Sequence, residues 1–279
     1  MRTRSFVFVA VLAVVAGIGV AVWRGTGPLP DPVGCSATVN GREVALAPDQ
    51  GRNAALIAAI GVQRGLPARA VTIALATAYQ ESKIRNLGHG DRDSIGLFQQ
   101  RPSQGWGTVA QIRNEHYTIN KFYEVLEKVD GYETMEITVA AQKVQRSGYP
   151  EAYADHEADA RVLASSLTGY SPGGAFSCVI KQPTAFGSAA AVTASLTGAF
   201  GDTEVDPAGR QDLSVPVASG IDGNRRGWAT AQYLVAYAAK LKIRSVAYDG
   251  RIWHTGRDSE NGWTKTSSAT ADRVVVSLG

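Results

Sequence analysis

The sequence predicts an α+β fold in which a mostly helical domain precedes a smaller α+β domain, behind an N-terminal transmembrane helix. Apolar residues recur with helical spacing over much of residues 49–167, and short β-branched runs cluster after residue 212. A chain of 279 residues with 44% hydrophobic and 19% charged residues can bury a large core, and that length favours two domains.

The overall charge is too weak and too scattered to indicate a nucleic-acid partner. The formal net charge is +3, and the basic residues form no cluster. A slightly basic surface would weakly favour anionic polymers such as bacterial cell wall.

The first 27 residues are predicted to be a signal anchor. The uncharged run from Phe6 to Trp23 has 18 residues, which at about 1.5 Å each nearly match a hydrocarbon core of roughly 30 Å. Arg2 and Arg4 favour a cytoplasmic N-terminus, so the rest of the chain would lie outside the cytoplasm as a single-pass membrane protein. The alternative is a signal peptide cleaved near residues 19–21, which would give a secreted protein.

Two cysteines, Cys35 and Cys178, are the only ones in the chain. An even count in an exported chain predicts one disulfide, which would enclose almost the whole first domain. The alternative is a pair of unpaired buried thiols.

The first domain is placed at residues 28–183 and contains most of the predicted helices. Asn40 and Gly41 predict a two-residue turn in a hairpin over residues 37–45. A short strand or the floor of a hairpin is predicted over residues 94–99. Helices are predicted over residues 49–64, from 68 to the region of Glu81, and over 109–112, 116–129, 137–145 and 150–167.

The second domain is placed at residues 184–279, with a linker at its start. A helix is predicted over residues 190–200 and a clearer one over 227–241. Strands are predicted over residues 213–217, 243–248, 252–253 and 273–278, with Asp249 and Gly250 as a hairpin turn.

One carboxylate, Glu81, ends an apolar helix that begins near Ala68. A carboxyl group held against apolar neighbours resists ionisation, so its pKa should rise and it can act as a general acid. The glycines that follow, Gly88, Gly90 and Gly96, permit tight turns beside it. The alternative is that Glu81 is a solvated helix-end residue and the glycines belong to a surface loop.

Three ordered sequence pieces lie within about twenty residues of each other. They are Glu81 and Ser82, then Gly90, Asp91 and Arg92, then Gly96, Leu97, Phe98 and Gln99. The pattern resembles that of goose-type lysozymes and related lytic transglycosylases. The resemblance implies a lysozyme-like fold and cleavage of the β-1,4 bond between N-acetylmuramic acid and N-acetylglucosamine in peptidoglycan glycan strands, with Glu81 as general acid.

The resemblance leaves two reaction outcomes open. In a lysozyme a second carboxylate activates water or forms a covalent intermediate, and Asp91 matches the aspartate of the goose-type pattern, with Asp93 as a reserve. In a lytic transglycosylase the C6 hydroxyl of the substrate attacks instead and leaves an anhydro product. Either aspartate could also bond the backbone of its own turn.

Substrate contacts are assigned on both sides of this motif. The segment over residues 140–153 stands where lytic transglycosylases carry a second motif, which implies that Gln145 and the nearby tyrosines line the sugar cleft; core aromatics are the alternative. The predicted substrate-binding residues are Ser94, Phe98, Gln99, Gln100, Gln145, Tyr149 and Tyr153.

Three pieces of the second domain occur in order: the run over residues 233–253, then Gly262 and Trp263, then the run over residues 272–277. Together they resemble zinc carboxypeptidases of the D-Ala-D-Ala type, without the metal ligands of that family. Arg273 and Val275 stand where that family has histidines, and His254 is the only histidine of the domain. Three or four ligands cannot come from one histidine, so no metal or other cofactor is expected. The resemblance implies a non-catalytic module that binds the wall or an envelope protein.

Together these patterns predict a membrane-tethered lytic transglycosylase or lysozyme. The alternative is a non-enzymatic protein that binds peptidoglycan or an envelope protein through either domain.

Overall fold

The computed structural model describes residues 33–146 and 150–279. The predicted anchor, with its transmembrane segment over residues 6–23, lies outside the described residues, as does Tyr149. Among the helices that are described, none is both long enough and apolar enough to cross a membrane.

The fold is α+β, as predicted, and its helices lie mainly in the first half of the chain. In order they are α1 (Pro48–Gln63), α2 (Ala68–Ser82), α3 (Val109–Ile112), α4 (Glu115–Leu126), α5 (Ile137–Gln145), α6 (Glu157–Leu167), α7 (Ala189–Phe200) and α8 (Ile221–Leu241). Short 3₁₀ helices cover Pro102–Gln104, Pro150–His156 and Gly256–Asn261.

The strands form two antiparallel sheets. The strands are β1 (Gly34–Val39), β2 (Arg42–Leu46), β3 (Phe176–Val179), β4 (Asp206–Pro207), β5 (Asp212–Pro216), β6 (Ser245–Tyr248), β7 (Arg251–His254), β8 (Thr264–Lys265) and β9 (Arg273–Ser277). The three-stranded sheet has the order β2-β1-β3, and the six-stranded sheet has the order β4-β5-β9-β6-β7-β8.

Both predicted two-residue hairpins are confirmed. Val39 pairs with Arg42 across the first turn, where Asn40 and Gly41 have φ of 50° and 79°. Tyr248 pairs with Arg251 across the second turn. Both turns use the left-handed region that asparagine, aspartate and glycine tolerate better than other residues.

Three predicted elements are wrong in type or extent. Residues 94–99 form no regular strand, and the hairpin alternative is met only by isolated antiparallel bridges, Leu87 with Gly96 and Ile95 with Gln100. The helix predicted over 150–167 is a 3₁₀ helix followed by α6, and α8 begins at Ile221, six residues before its predicted start.

Helix α2 is the centre of the helical part. It packs against α1, α4, α5, α6 and the 3₁₀ helix at Pro150–His156, and every residue from Ala70 to Ala78 is buried. Gly61 of α1 allows a close approach, because a Cβ there would lie 2.6 Å from Cγ2 of Val71. Residues at the C-terminal end of α2 are therefore held by a rigid, dry core.

The predicted disulfide is present and joins β1 to β3. Cys35 and Cys178 are register partners in the antiparallel pair, and both are buried. Their separation of 143 residues encloses α1 to α6 in one covalent loop.

Residues on the two sides of the predicted domain boundary at 183/184 pack into one compact unit that spans Val33–Gly279. The buried amide of Gln232 in α8 accepts a hydrogen bond from the backbone N–H of Phe176 and donates one to the carbonyl of Ser166, each at 2.8 Å. The indole of Trp253 donates to the carbonyl of Cys178 at 3.1 Å, and that of Trp263 donates to the carbonyl of Phe176 at 2.9 Å. The second half of the chain thus completes the hydrogen bonding of β3.

Candidate active site around Glu81

Glu81 is the second-last residue of α2 and is half-buried. The hydroxyl of Tyr153 donates a hydrogen bond to its Oε1 at 2.6 Å. Tyr153 is fully buried in the 3₁₀ helix at Pro150–His156. Two segments 72 residues apart in the sequence therefore meet at one carboxyl group.

Burial raises the pKa of Glu81 above its usual value because desolvation disfavours the carboxylate. Hydrogen bonds from Tyr153 and Gln145 act in the opposite direction, since they stabilise the ionised form, but burial dominates. No carboxylate in the described part of the chain is among the groups that shift this pKa. The site therefore has a lone acid with a raised affinity for its proton.

The backbone turn directly after Glu81 lies in the left-handed region. Lys83 and Ile84 have φ of 53° and 57°, which is unfavourable for a β-branched residue. Two amides of α1 hold the turn: Gln50 donates to the carbonyl of Lys83 at 2.7 Å, and Asn53 donates to that of Ile84 at 2.8 Å. Backbone strain of this kind is commonly found at functional sites.

Ser82 ties the end of α2 to the Gly96–Gln99 part of the motif. Its hydroxyl lies 2.7 Å from the carbonyl oxygen of Leu97 and accepts a hydrogen bond from the backbone N–H of Arg85 at 3.1 Å. This contact gives a physical reason why the two sequence pieces occur together.

Gln145 connects Glu81 to a cleft. Its Nε2 donates to the carbonyl of Phe98 at 2.6 Å, while its Oε1 is buried without a hydrogen-bond partner. Gln145 also lines a cleft of about 460 Å³. The described residues around that cleft are Gln104, Gly105, Trp106, Lys121, Val125, Lys143, Val144, Gln145 and Arg146. Glu81 is not among them, so the carboxyl group stands one side chain behind the cleft wall.

The two aspartates of the motif have different surroundings. Asp91 is almost fully exposed, at 93% of its side-chain area, and its nearest ion-pair partner is Arg92 at 3.9 Å. Asp93 accepts hydrogen bonds from Nε of Arg101 at 2.7 Å and from the backbone N–H of Ser103 at 2.8 Å. These bonds hold the pKa of Asp93 well below its usual range. Asp93 thus stabilises its own loop.

Several residues predicted to bind substrate are buried, and the side chains of Phe98 and Gln100 have partners inside the protein. Phe98 is fully buried and stacks on Phe122 with 4.5 Å between ring centroids. Gln100 is buried, and its Oε1 accepts from the Thr118 hydroxyl at 2.6 Å. Ser94 is also buried. Because these side chains face the core, they shape the loop and present no surface to a sugar.

The contact between Gln99 and Gly90 explains why the motif has a glycine at residue 90. Nε2 of Gln99 donates to the carbonyl of Gly96 at 3.2 Å, and the side chain passes directly over Gly90. A Cβ at residue 90 would lie 1.8 Å from Oε1 of Gln99. Among the predicted substrate-binding residues that the structure describes, only Gln145 and Tyr153 are hydrogen-bonded to Glu81.

The sequence patterns did not identify the amide side chains that hold the turn after Glu81 or the basic residues that line the cleft. Gln50 and Asn53 are ordinary polar residues of an amphipathic helix, so no sequence signal points to them. Lys143 lies in the last turn of α5 and Arg146 is its C-cap residue. Two basic residues so close to the end of a helix could have drawn attention to this position.

The positions of the second domain that were compared with zinc ligands lie far from Glu81 in the sequence. In the second half of the chain, Arg273 pairs with Asp272 at 2.8 Å, and Val275 pairs with Ser214 in the sheet. Across residues 33–146 and 150–279, no group of three or more His, Cys, Asp or Glu side chains is placed to hold a metal ion.

Glu81→Gln is expected to stabilise the protein at neutral pH. Below the ordinary pKa of 4.5 the carboxyl group is protonated in both the folded and unfolded chains. As the pH rises from 4.5 to the raised folded pKa, the unfolded chain ionises first, so the free energy of unfolding of the wild type falls. We expect the variant to gain on the order of 1 kcal/mol at pH 7 and nothing below about pH 4.

Urea unfolding of both proteins at pH 4 and pH 7 measures this difference. Asp91→Asn is the matched control, because the same chemical change is made on an exposed carboxylate and should leave stability unchanged at both pH values. An equal wild-type-to-variant difference at pH 4 and pH 7 would contradict a raised pKa for Glu81.

Comparison with known proteins places the chain in no family. No protein-family model matches the sequence, and none of the curated proteins matches it. The resemblance to goose-type lysozymes and lytic transglycosylases therefore depends on the motif residues alone.

Proposed function

We propose that this protein is a lytic transglycosylase that cleaves the β-1,4 bond between N-acetylmuramic acid and N-acetylglucosamine in peptidoglycan. One observation carries the proposal: a lone glutamic acid, with a pKa raised by burial, is bonded to a buried tyrosine and stands behind the wall of a cleft. A carboxyl group that keeps its proton to higher pH than an exposed glutamate is suited to the general acid catalysis that glycoside cleavage requires.

In the proposed reaction Glu81 acts twice. As an acid, it gives its proton to the glycosidic oxygen, the bond from that oxygen to C1 breaks, and N-acetylglucosamine leaves with a free hydroxyl. As a base, it takes the proton of the C6 hydroxyl of the same muramic acid residue while that oxygen bonds to C1. The product carries a 1,6-anhydro ring, and Glu81 has its proton back.

Tyr153 and Gln145 would stabilise the carboxylate between these two steps. Both lower the pKa of Glu81 by hydrogen bonding to its charged form, so they favour release of the proton. Burial raises the pKa of Glu81 and therefore favours return of the proton. A carboxyl group that must donate and then recover a proton needs both influences.

Transglycosylation is preferred over hydrolysis because a lysozyme needs a second carboxylate near the first. Such pairs are about 5–9.5 Å apart in glycosidases. Asp91, the candidate for that second carboxylate, projects into solvent with Arg92 as its partner. A reaction in which the substrate supplies the nucleophile needs no second carboxylate.

The disulfide supports action outside the cytoplasm, where disulfides persist. Full-length protein incubated with purified sacculi should release soluble muropeptides. Mass spectrometry should find 1,6-anhydro ends, which are lighter than hydrolysed ends by one water. Reducing ends would show a lysozyme, and the absence of release would refute an enzyme.

A second candidate is a non-enzymatic protein that binds peptidoglycan. One observation favours it: Glu81 does not line the cleft. Under that function, wild-type protein would sediment with sacculi but release no fragments, and Glu81→Gln would sediment equally.

Tyr153→Phe is expected to move the alkaline limb of the pH–activity profile to higher pH. The hydroxyl of Tyr153 stabilises ionised Glu81, so its removal should raise the pKa further and keep the acid protonated in more alkaline solution. The measurement is the rate of muropeptide release between pH 4 and pH 9.

Tyr123→Phe is the matched control for that experiment. Tyr123 is also fully buried and donates one hydrogen bond, to the carbonyl of Ile57 at 2.9 Å, but it does not contact Glu81. Its loss should lower stability without moving the profile. A downward shift of the limb in Tyr153→Phe would show that the hydroxyl does not donate to the carboxylate.

A further inference from the structure

The cleft beside Gln145 is positively charged. Lys121 of α4 and Lys143 and Arg146 at the end of α5 all line it, and the described lining contains no carboxylate. Cations that converge on a concave surface without counter-charges raise the local concentration of anions. Such an arrangement differs from a solvated helix face, where charges of both signs are usually interspersed.

The three cations are not equivalent. Lys121 is neutralised by Glu124, with Nζ and Oε2 3.0 Å apart. Lys143 and Arg146 form no salt bridge with any residue in the described ranges, and both are exposed. They are therefore free to bind an anion without breaking an existing pair.

The remainder of the lining suits a ligand that is only partly charged. Val144 is buried, and Val125 and Trp106 are partly buried against the core, so the cleft presents apolar surface beside its two free cations. Gln145, which hydrogen bonds near Glu81, forms part of the same wall. A ligand here would combine carboxylates with small apolar groups and extend from the position of the scissile bond.

We propose that this cleft binds the carboxylate-bearing peptide attached to muramic acid, with Lys143 and Arg146 as the residues that recognise it. The identity of the ligand rests on the proposed function, whereas the charge and shape of the cleft do not. A short peptide of alanine and acidic residues supplies both the methyl groups and the carboxylates that the lining matches. Arginine binds carboxylates with two parallel hydrogen bonds, which adds geometric specificity.

Isothermal titration of the full-length protein tests the proposal with a ligand that has no glycosidic bond to cut. The probes are N-acetylmuramyl-L-alanyl-D-glutamate with two free carboxylates, its doubly amidated form, and glycerol phosphate as a phosphate source. The acid form is expected to bind about tenfold more tightly than the amidated form. The advantage should shrink as salt is raised.

The double variant Lys143→Gln with Arg146→Gln is expected to bind both forms alike. Lys240→Gln with Arg257→Gln is the matched control, since it removes the same charge from exposed residues outside the cleft and should keep the tenfold preference. Equal binding of acid and amide by the wild type, no binding of either, tighter binding of glycerol phosphate, or an unchanged preference in the cleft variant would each overturn the proposal.

The two measurements distinguish a failure of the peptide-binding proposal from a failure of the proposed reaction. If the wild type releases nothing from sacculi but still prefers the acid over the amide, the proposed reaction fails and the peptide site stands. If muropeptides are released but the preference is absent, the reaction stands and the peptide site fails.

Discussion

Glu81→Gln is expected to lower the rate of muropeptide release by about 10²- to 10⁴-fold, the usual contribution of a general acid. The amide keeps the size of the side chain and can still accept the hydrogen bond from Tyr153, so the fold should be preserved. Only the transferable proton is lost. The measurement is the initial rate of release from sacculi, with circular dichroism to verify the fold.

Asp91→Asn is the control that separates the two possible reactions. Because Asp91 is exposed and lies beside Arg92, we expect its rate to stay within about threefold of the wild type. A loss as large as that of Glu81→Gln would instead assign Asp91 the second carboxylate role of a lysozyme. Equal rates for wild type and Glu81→Gln would refute Glu81 as the acid.

Removal of the disulfide is expected to cause the largest loss of stability. Replacing Cys35 and Cys178 together by alanine opens a loop of 143 residues, and the chain-entropy model gives a loss of about 5 kcal/mol for a loop of this length. Urea unfolding at pH 7 measures the difference from the oxidised wild type.

Reduced wild-type protein is the matched control for the alanine pair. Both lack the cross-link, but the reduced protein keeps both sulfur atoms, so any difference between them reports the small cavity left beside α1, where Sγ of Cys35 would lie 2.9 Å from a Cβ at Gly51. A loss below about 1 kcal/mol in both would show that the cross-link constrains the unfolded chain far less than the model requires.

Local sequence signals predicted those parts of the fold that depend on local chemistry. The turn at Asn40 and Gly41 was predicted because those residue types tolerate positive φ. Helices α1 and α2 were predicted from their apolar spacing and from Gly65, whose φ of 68° ends the first. No distant partner is needed to explain these features.

Signals that depend on distant packing were misread. The helix was predicted to begin at residue 227, yet α8 begins at Ile221 and contains Gly223 as well as Gly227. A Cβ at Gly223 would lie 1.8 Å from the carbonyl oxygen of Ala218, and one at Gly227 would lie 2.2 Å from the Tyr248 hydroxyl. Tertiary packing thus selects glycine there in spite of its low helix propensity.

The candidate site was predicted only in part, because some of its contacts join residues that are distant in the sequence. Apolar residues before Glu81 identify it as a buried helix end, but alternation over residues 94–99 reflects a loop folded onto the core, with Leu97 and Phe98 fully buried. The partnership of Glu81 with Tyr153 spans 72 residues. No spacing rule reaches that far; the resemblance placed Tyr153 beside the cleft, but as a substrate contact and not as a hydrogen-bond donor to Glu81.

Hydrogen bonding between β3 and the second half of the chain has a consequence for how the molecule loses its structure. Without Gln232, the backbone N–H of Phe176 would lose its hydrogen-bond partner inside the protein, a cost of about 1–3 kcal/mol. Neither half of the chain can therefore unfold alone without this unfavourable free energy. The two halves of the chain should denature in a single cooperative step, and truncation after residue 183 should yield an aggregation-prone fragment.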